Sequence, residues 1–186
     1  NGTIQWLDNV NKVLSSLTQR FGRPANLTSL ATSAAAEADA LTSHLQALSE
    51  GLNTLPFETK EEDREVYRFP QGDIPDTLMD LSMALLPSMG KLCDVVEQAH
   101  ELLQEAVAGN ADWQNAYEAE DWLVPVGQLQ SRALATRALF EDYALGAGRP
   151  RRYARWLNRN LYDVEMVSAP IEPGNILREV LWQRCY

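Results

Sequence analysis

The chain has 186 residues, 45% of them apolar and 23% charged, with a formal net charge of -10. That composition excludes a disordered or collagen-like chain, and two cysteines exclude a disulfide scaffold. No apolar run reaches the roughly 18 residues of a membrane span and no signal peptide is visible, so a cytoplasmic protein is expected. The net acidity argues against a dedicated nucleic-acid binder, whose usual footprint is basic. The chain starts at Asn1 rather than Met, which suggests a processed or excised piece.

The first predicted element is a helix over residues 4–21, because Ile4, Leu7, Val10, Leu14, Leu17 and Phe21 fall on one stripe. Gly22, Arg23 and Pro24 stop it, since proline lacks an N–H and biases its predecessor away from helical angles. A second, alanine-rich stripe runs through Leu30, Ala34, Leu41, Leu45, Leu48 and Leu52, and Pro56 ends it. An acidic loop follows, and the alternation in Glu65-Val66-Tyr67-Arg68-Phe69 predicts a short extended segment.

Gly72-Asp73-Ile74-Pro75-Asp76 reads as a turn entering a long helix over residues 76–107, with Pro87 and Gly90 predicting a kink or short break inside it. Gly109 and Asn110 close that helix. The region of Trp113 and Tyr117 leads into a last long helix over residues 126–145, with Leu129, Ala133, Leu134, Leu139, Phe140 and Tyr143 on its inner side. The expected class is therefore mainly α, a helical bundle.

Period two then replaces the helical period. Residues 152–157 and 163–168 read as two strands joined near Asn158 and Leu161, a hairpin. Pro170 to Gly174 breaks the chain, and Asn175 caps a final helix carrying Ile176, Leu177, Val180 and Leu181. A hairpin and one helix bury too little to fold alone, so this tail is expected to be a piece of another domain.

Charge divides at the same place. Residues 1–148 hold 9 bases against 22 acids, a net of -13, whereas residues 149–186 hold 7 bases against 4 acids, a net of +3. Two domains are expected, 1–148 and 149–186.

Catalytic signals are sparse. Gly90-Lys91 resembles the end of a Walker A loop, but Leu85 stands where its first glycine belongs and Leu92 where Ser or Thr belongs, so no phosphate cradle forms. Glu97 and His100 have the three-residue spacing of di-iron carboxylate bundles, but Leu41 precedes His44 where a second Glu is required. Cys93 and Cys185 are too few for a zinc or iron–sulfur site, and Cys93 is expected in the core. Two histidines and no nucleophile elbow offer no Ser/His/Asp set. No catalytic, cofactor or metal residue is therefore assigned in this chain.

Two blocks carry a family resemblance. The run Met166-Val167-Ser168-Ala169-Pro170-Ile171-Glu172-Pro173-Gly174-Asn175-Ile176-Leu177-Arg178-Glu179-Val180-Leu181-Trp182 resembles the segment upstream of the Ser-Ala-Thr-Leu motif in DinG-type helicases. The run Tyr67-Arg68-Phe69-Pro70-Gln71-Gly72-Asp73-Ile74-Pro75-Asp76 is similar to an element of that family's arch domain. DinG proteins are superfamily 2, XPD-like, ATP-dependent 5′-to-3′ DNA helicases used in repair or replication. Their first RecA-like motor domain carries an iron–sulfur domain and a helical arch as insertions that enclose single-stranded DNA.

The resemblance implies that residues 1–148 are the arch insertion and residues 149–186 the return strands and helix of the motor domain. ATP, magnesium and a 4Fe-4S cluster are then implied for the parent helicase, none of them held by this chain. The implied partners are single-stranded DNA and the parent's motor and iron–sulfur domains, with no membrane. An inserted domain leaves and re-enters its host at neighbouring points, so the hairpin is expected beside the chain start. Arg149, Arg151, Arg152 and Arg155 are the candidate phosphate contacts, with Trp156 or Tyr153 as stacking groups. The alternative for these side chains is internal pairing of the arginines with acids and a core position for Trp156. The alternative for the whole chain is an independent acidic helical interaction module with no DNA role.

Overall fold

A computed structural model describes residues 2–61, 64–146, 153–161 and 163–171. Among these, four helices form a bundle: α1 (Gly2–Arg20), α2 (Ala25–Asn53), α3 (Asp76–Val107) and α4 (Ala119–Leu145). The α1 stripe buries Leu7, Val10, Leu14 and Leu17. The chain then turns through Gly22 and Arg23, both at positive φ, and Pro24 starts α2 from extended backbone. Helix α3 lies against both α2 and α4, and Leu85, Met89, Leu92, Val96 and Leu103 place its apolar face in the middle of the core.

Helix α3 runs unbroken through Pro87 and Gly90, contrary to the predicted break. The reason lies in which side of the helix the proline occupies. Pro87 is exposed, and the carbonyl its ring deprives of a partner belongs to Met83, itself on the solvent side. Leu85 and Met89 remain buried on either side, so core burial holds one continuous stripe. Helix α4 likewise begins seven residues before the predicted start and carries Pro125 inside it. Ala119 is buried there, and Trp122 and Leu123 pack on the core, which offsets the lost hydrogen bond. Leu134, expected inside, is exposed.

The strands are β1 (Glu58–Glu61), β2 (Arg64–Arg68), β3 (Tyr153–Arg159) and β4 (Val164–Pro170). They form one antiparallel sheet in the order β1-β2-β3-β4. The predicted hairpin is present as β3 and β4, and the extended segment near residue 65 as β2. Strand β1, at the edge of the sheet, was read as an acidic loop.

The sheet crosses the expected boundary at residue 148. Strand β2 from the first half pairs with β3 from the second, and Leu157 of β3 is fully buried in the same core as the helices. The break in charge is not a break in packing, because the hairpin covers its apolar face with the helical body. The predicted final helix lies outside the described residues. The β3–β4 turn does lie beside the chain start, where the Gly2 N–H donates to Asp163 at 2.8 Å.

Candidate functional site

Strand alternation sorts the hairpin's side chains onto two faces. Arg155, Leu157 and Arg159 point toward the helices, while Ala154, Trp156 and Asn158 point away. On the inner face, Arg155 Nε donates to Asp142 Oδ2 at 2.7 Å and Nη2 donates to Asp142 Oδ1 at 2.9 Å. The same guanidinium donates to the carbonyls of Gly72 at 2.7 Å and Gly146 at 3.1 Å. Ser168 of β4 donates to the same Asp142 carboxylate. One buried ion pair thus ties together the end of α4, the turn before α3 and both strands of the hairpin.

Tyr143, next in sequence to Asp142, is fully buried, and its hydroxyl donates to the carbonyls of Val167 at 2.9 Å and Trp156 at 3.2 Å. Burial pushes its phenol above the usual range. The ring also stacks edge-on against Phe69, which meets Tyr67 in the same way, and this aromatic row continues to Phe57.

The Tyr67–Asp76 block is joined to the hairpin by backbone as well as by Arg155. The Phe69 N–H donates to the Arg155 carbonyl at 3.1 Å, and the Gly72 N–H closes a turn on the Phe69 carbonyl at 3.0 Å. Gly72 sits at φ +80°, and a Cβ placed there would lie 2.3 Å from the Tyr153 carbonyl oxygen. Only glycine allows this approach. The Tyr67–Asp76 block is therefore bound to β3, which pairs in turn with β4, where the other resemblance block begins.

The outer face of the sheet is built from cross-strand partners. Trp156 lies opposite Arg68 on β2 and Val167 on β4, Asn158 opposite Val66 and Glu165, and Ala154 opposite Ala169. Val66, Trp156 and Val167 are half-buried, so an apolar strip crosses the middle of this face with Arg68, Asn158 and Glu165 around it. A groove of about 690 Å³ runs over it, lined by Val66, Arg68, Gln71, Trp156, Asn158 and Ile171 among others.

Of the predicted DNA contacts, Arg149, Arg151 and Arg152 lie outside the described residues. Trp156 and Tyr153 are half-buried, with Trp156 on the groove face. Arg155 is corrected: its side chain is 3% exposed and paired with Asp142, which leaves it no surface from which to meet a phosphate. The partner acid, Asp142, was not singled out in the sequence. The available signal was its setting between Phe140 and Tyr143 on the inner stripe.

The other sequence candidates fall elsewhere. Gly90 and Lys91 are in the interior of α3, and Lys91 pairs with Glu37 at 3.0 Å. Cys93 is buried, and burial raises its thiol pKa. Among the described residues no three His, Cys, Asp or Glu side chains are grouped to hold a metal ion, Glu97 and His100 included. Nor is any described helix long and apolar enough to cross a membrane. Comparison with protein-family models and with curated proteins finds no match for this chain.

Proposed function

We propose that this chain is the helical arch of a DinG-type, ATP-dependent 5′-to-3′ DNA helicase, together with the strands that return to its first RecA-like motor domain. The observation that carries the reading is the adjacency of the chain start and the β3–β4 turn, through Gly2 and Asp163. An insertion must enter and leave its host at neighbouring points, and the Tyr67–Asp76 block meets the hairpin at Gly72 and Arg155. The helices form a wall, and the Arg155–Asp142 pair fixes that wall to the hairpin.

In this role the chain guides single-stranded DNA and performs no chemistry. ATP and magnesium would bind the parent's motor, and the cluster would sit in its iron–sulfur domain, because two cysteines cannot supply a four-thiolate site. The electrostatic contact with DNA falls to Arg149, Arg151 and Arg152, with Trp156 or Tyr153 available for stacking. Arg155 is left out of that set because Asp142 holds it.

A second reading, an independent acidic interaction module, draws support from the sheet: β3 and β4 are part of the body's own core. Anisotropy of a labelled single-stranded oligonucleotide separates the two. The arch reading expects weak binding that declines steeply between about 50 and 200 mM salt and is lost on combined Arg149→Glu, Arg151→Glu and Arg152→Glu replacement. No binding at low salt would remove the DNA role of the stem and favour the module. Tight binding that survives high salt would contradict both.

A further inference from the structure

Helix α4 turns one side away from the other described elements. Val124, Gln128, Ser131, Ala135 and Ala138 recur there at three- and four-residue spacing, and all are exposed. Tyr117, one heptad before Val124, extends this side from the turn Ala116–Glu118; the two are 82% and 67% exposed. About 27 Å of helix separates Val124 from Asp142, where the hairpin packs. Charge also sets this side apart: residues 1–148 carry a net of -13, yet α4 has no acid between Asp121 and Glu141. Asp121 and Arg132, both exposed, border one flank of it about three turns apart.

We propose that two copies of this chain pair antiparallel through this side of α4, with Asp121 of each copy against Arg132 of the other. A two-fold axis between residues 126 and 127 makes both contacts at once, because an isologous interface repeats every contact. Parallel pairing is disfavoured, since it sets Asp121 against Asp121. In the antiparallel register Tyr117 lies level with Thr136 of the second copy, and the small Ala135 and Ala138 leave room for its ring. The two Val124 side chains flank the axis. The Gly2 carbonyl takes one donor of the Arg132 guanidinium at 3.0 Å and the Trp6 ring steadies the group, so the remaining donors can meet a carboxylate. One helix pair is a small interface, under the roughly 1,200 Å² of stable complexes, so the dimer is weak and exchanges. The inference is independent of any role in DNA binding.

Sedimentation equilibrium of the whole 186-residue chain tests it. From about 10 µM to 1 mM the mean mass should climb from the 20.8 kDa monomer toward twice that value and not beyond. Val124→Lys, at an exposed position, should abolish the climb while leaving the thermal melt in place. Asp121→Arg and Arg132→Glu should each weaken association about tenfold alone. Mixing these two variants should restore it, because every contact between copies then joins opposite charges. Within one copy the two positions stand about 16 Å apart along the helix, so restoration reports contact between copies. A mass that stays monomeric across the range would overturn the proposal, as would a dimer that survives Val124→Lys or a mixture no tighter than its components.

Discussion

Arg155 and Asp142, on β3 and α4, meet in a two-point ion pair at 2.7 and 2.9 Å in the interior of the protein. Two buried charges are tolerated there because each has further partners: Gly72 and Gly146 carbonyls for the guanidinium, the Ser168 hydroxyl for the carboxylate. Removing one member leaves the other desolvated and unpaired, which costs about 3–5 kcal/mol. Arg155→Ala and Asp142→Ala should each lower the unfolding free energy, measured by urea titration, by such an amount. The double replacement Arg155→Met, Asp142→Leu should lower it by much less, because no charge is then stranded.

Stability should also fall at alkaline pH through Tyr143. Burial raises its folded-state pKa above the unfolded value of about 10. Below that pH both states hold the proton and the full stability is present. Above it the unfolded chain ionises first, binds fewer protons than the folded one, and gains. Urea midpoints should therefore decline as pH rises past about 10. Tyr143→Phe should reduce that decline and cost about 1 kcal/mol at neutral pH for the lost hydrogen bond.

Two glycines in this chain have opposite substitution behaviour. Gly90, inside α3, has open space where a Cβ would go, so Gly90→Ala should stabilise by about 0.5–1 kcal/mol. Gly72 has positive φ and the Tyr153 carbonyl in the way, so Gly72→Ala must displace β3 and should destabilise the protein by more than Gly90→Ala stabilises it. Thermal melts of the two variants, shifted in opposite directions, check the description of the hairpin junction.

Cys93 should behave as a buried marker of the core. Burial raises its thiol pKa and shields the sulfur, so in a Cys185→Ser background it should resist a disulfide reagent at pH 8. Reaction should follow unfolding by denaturant. Rapid labelling of the native protein would show that α3 opens more readily than its packing implies.

Long helical stripes were readable from spacing alone: Leu7, Val10, Leu14 and Leu17 in α1 are all buried, as are Leu85, Met89, Leu92 and Val96 in α3. The break expected at Pro87 is absent, because a rule about local hydrogen bonding does not know which side of the helix faces water. Pro87 lies on the exposed side, Pro125 follows a turn anchored by the buried Ala119, and tertiary burial outweighs the hydrogen bond lost at each. The hairpin was legible from its period and its partner was not, since pairing of β2 with β3 joins residues about ninety positions apart. Arg155 shows the same limit at the candidate site. Its neighbours in sequence are Arg151, Arg152 and Trp156, which suggest a basic surface, but its neighbour in space is Asp142.

The helicase-arch reading is tested most directly by determining the reading frame on both sides of this segment in its gene. The account predicts a Walker A loop, four cluster cysteines and an Asp-Glu-Ala-His box before Asn1, and Ser-Ala-Thr-Leu following Tyr186. A frame that closes at Tyr186, or flanking sequence without an ATPase motif, would contradict it.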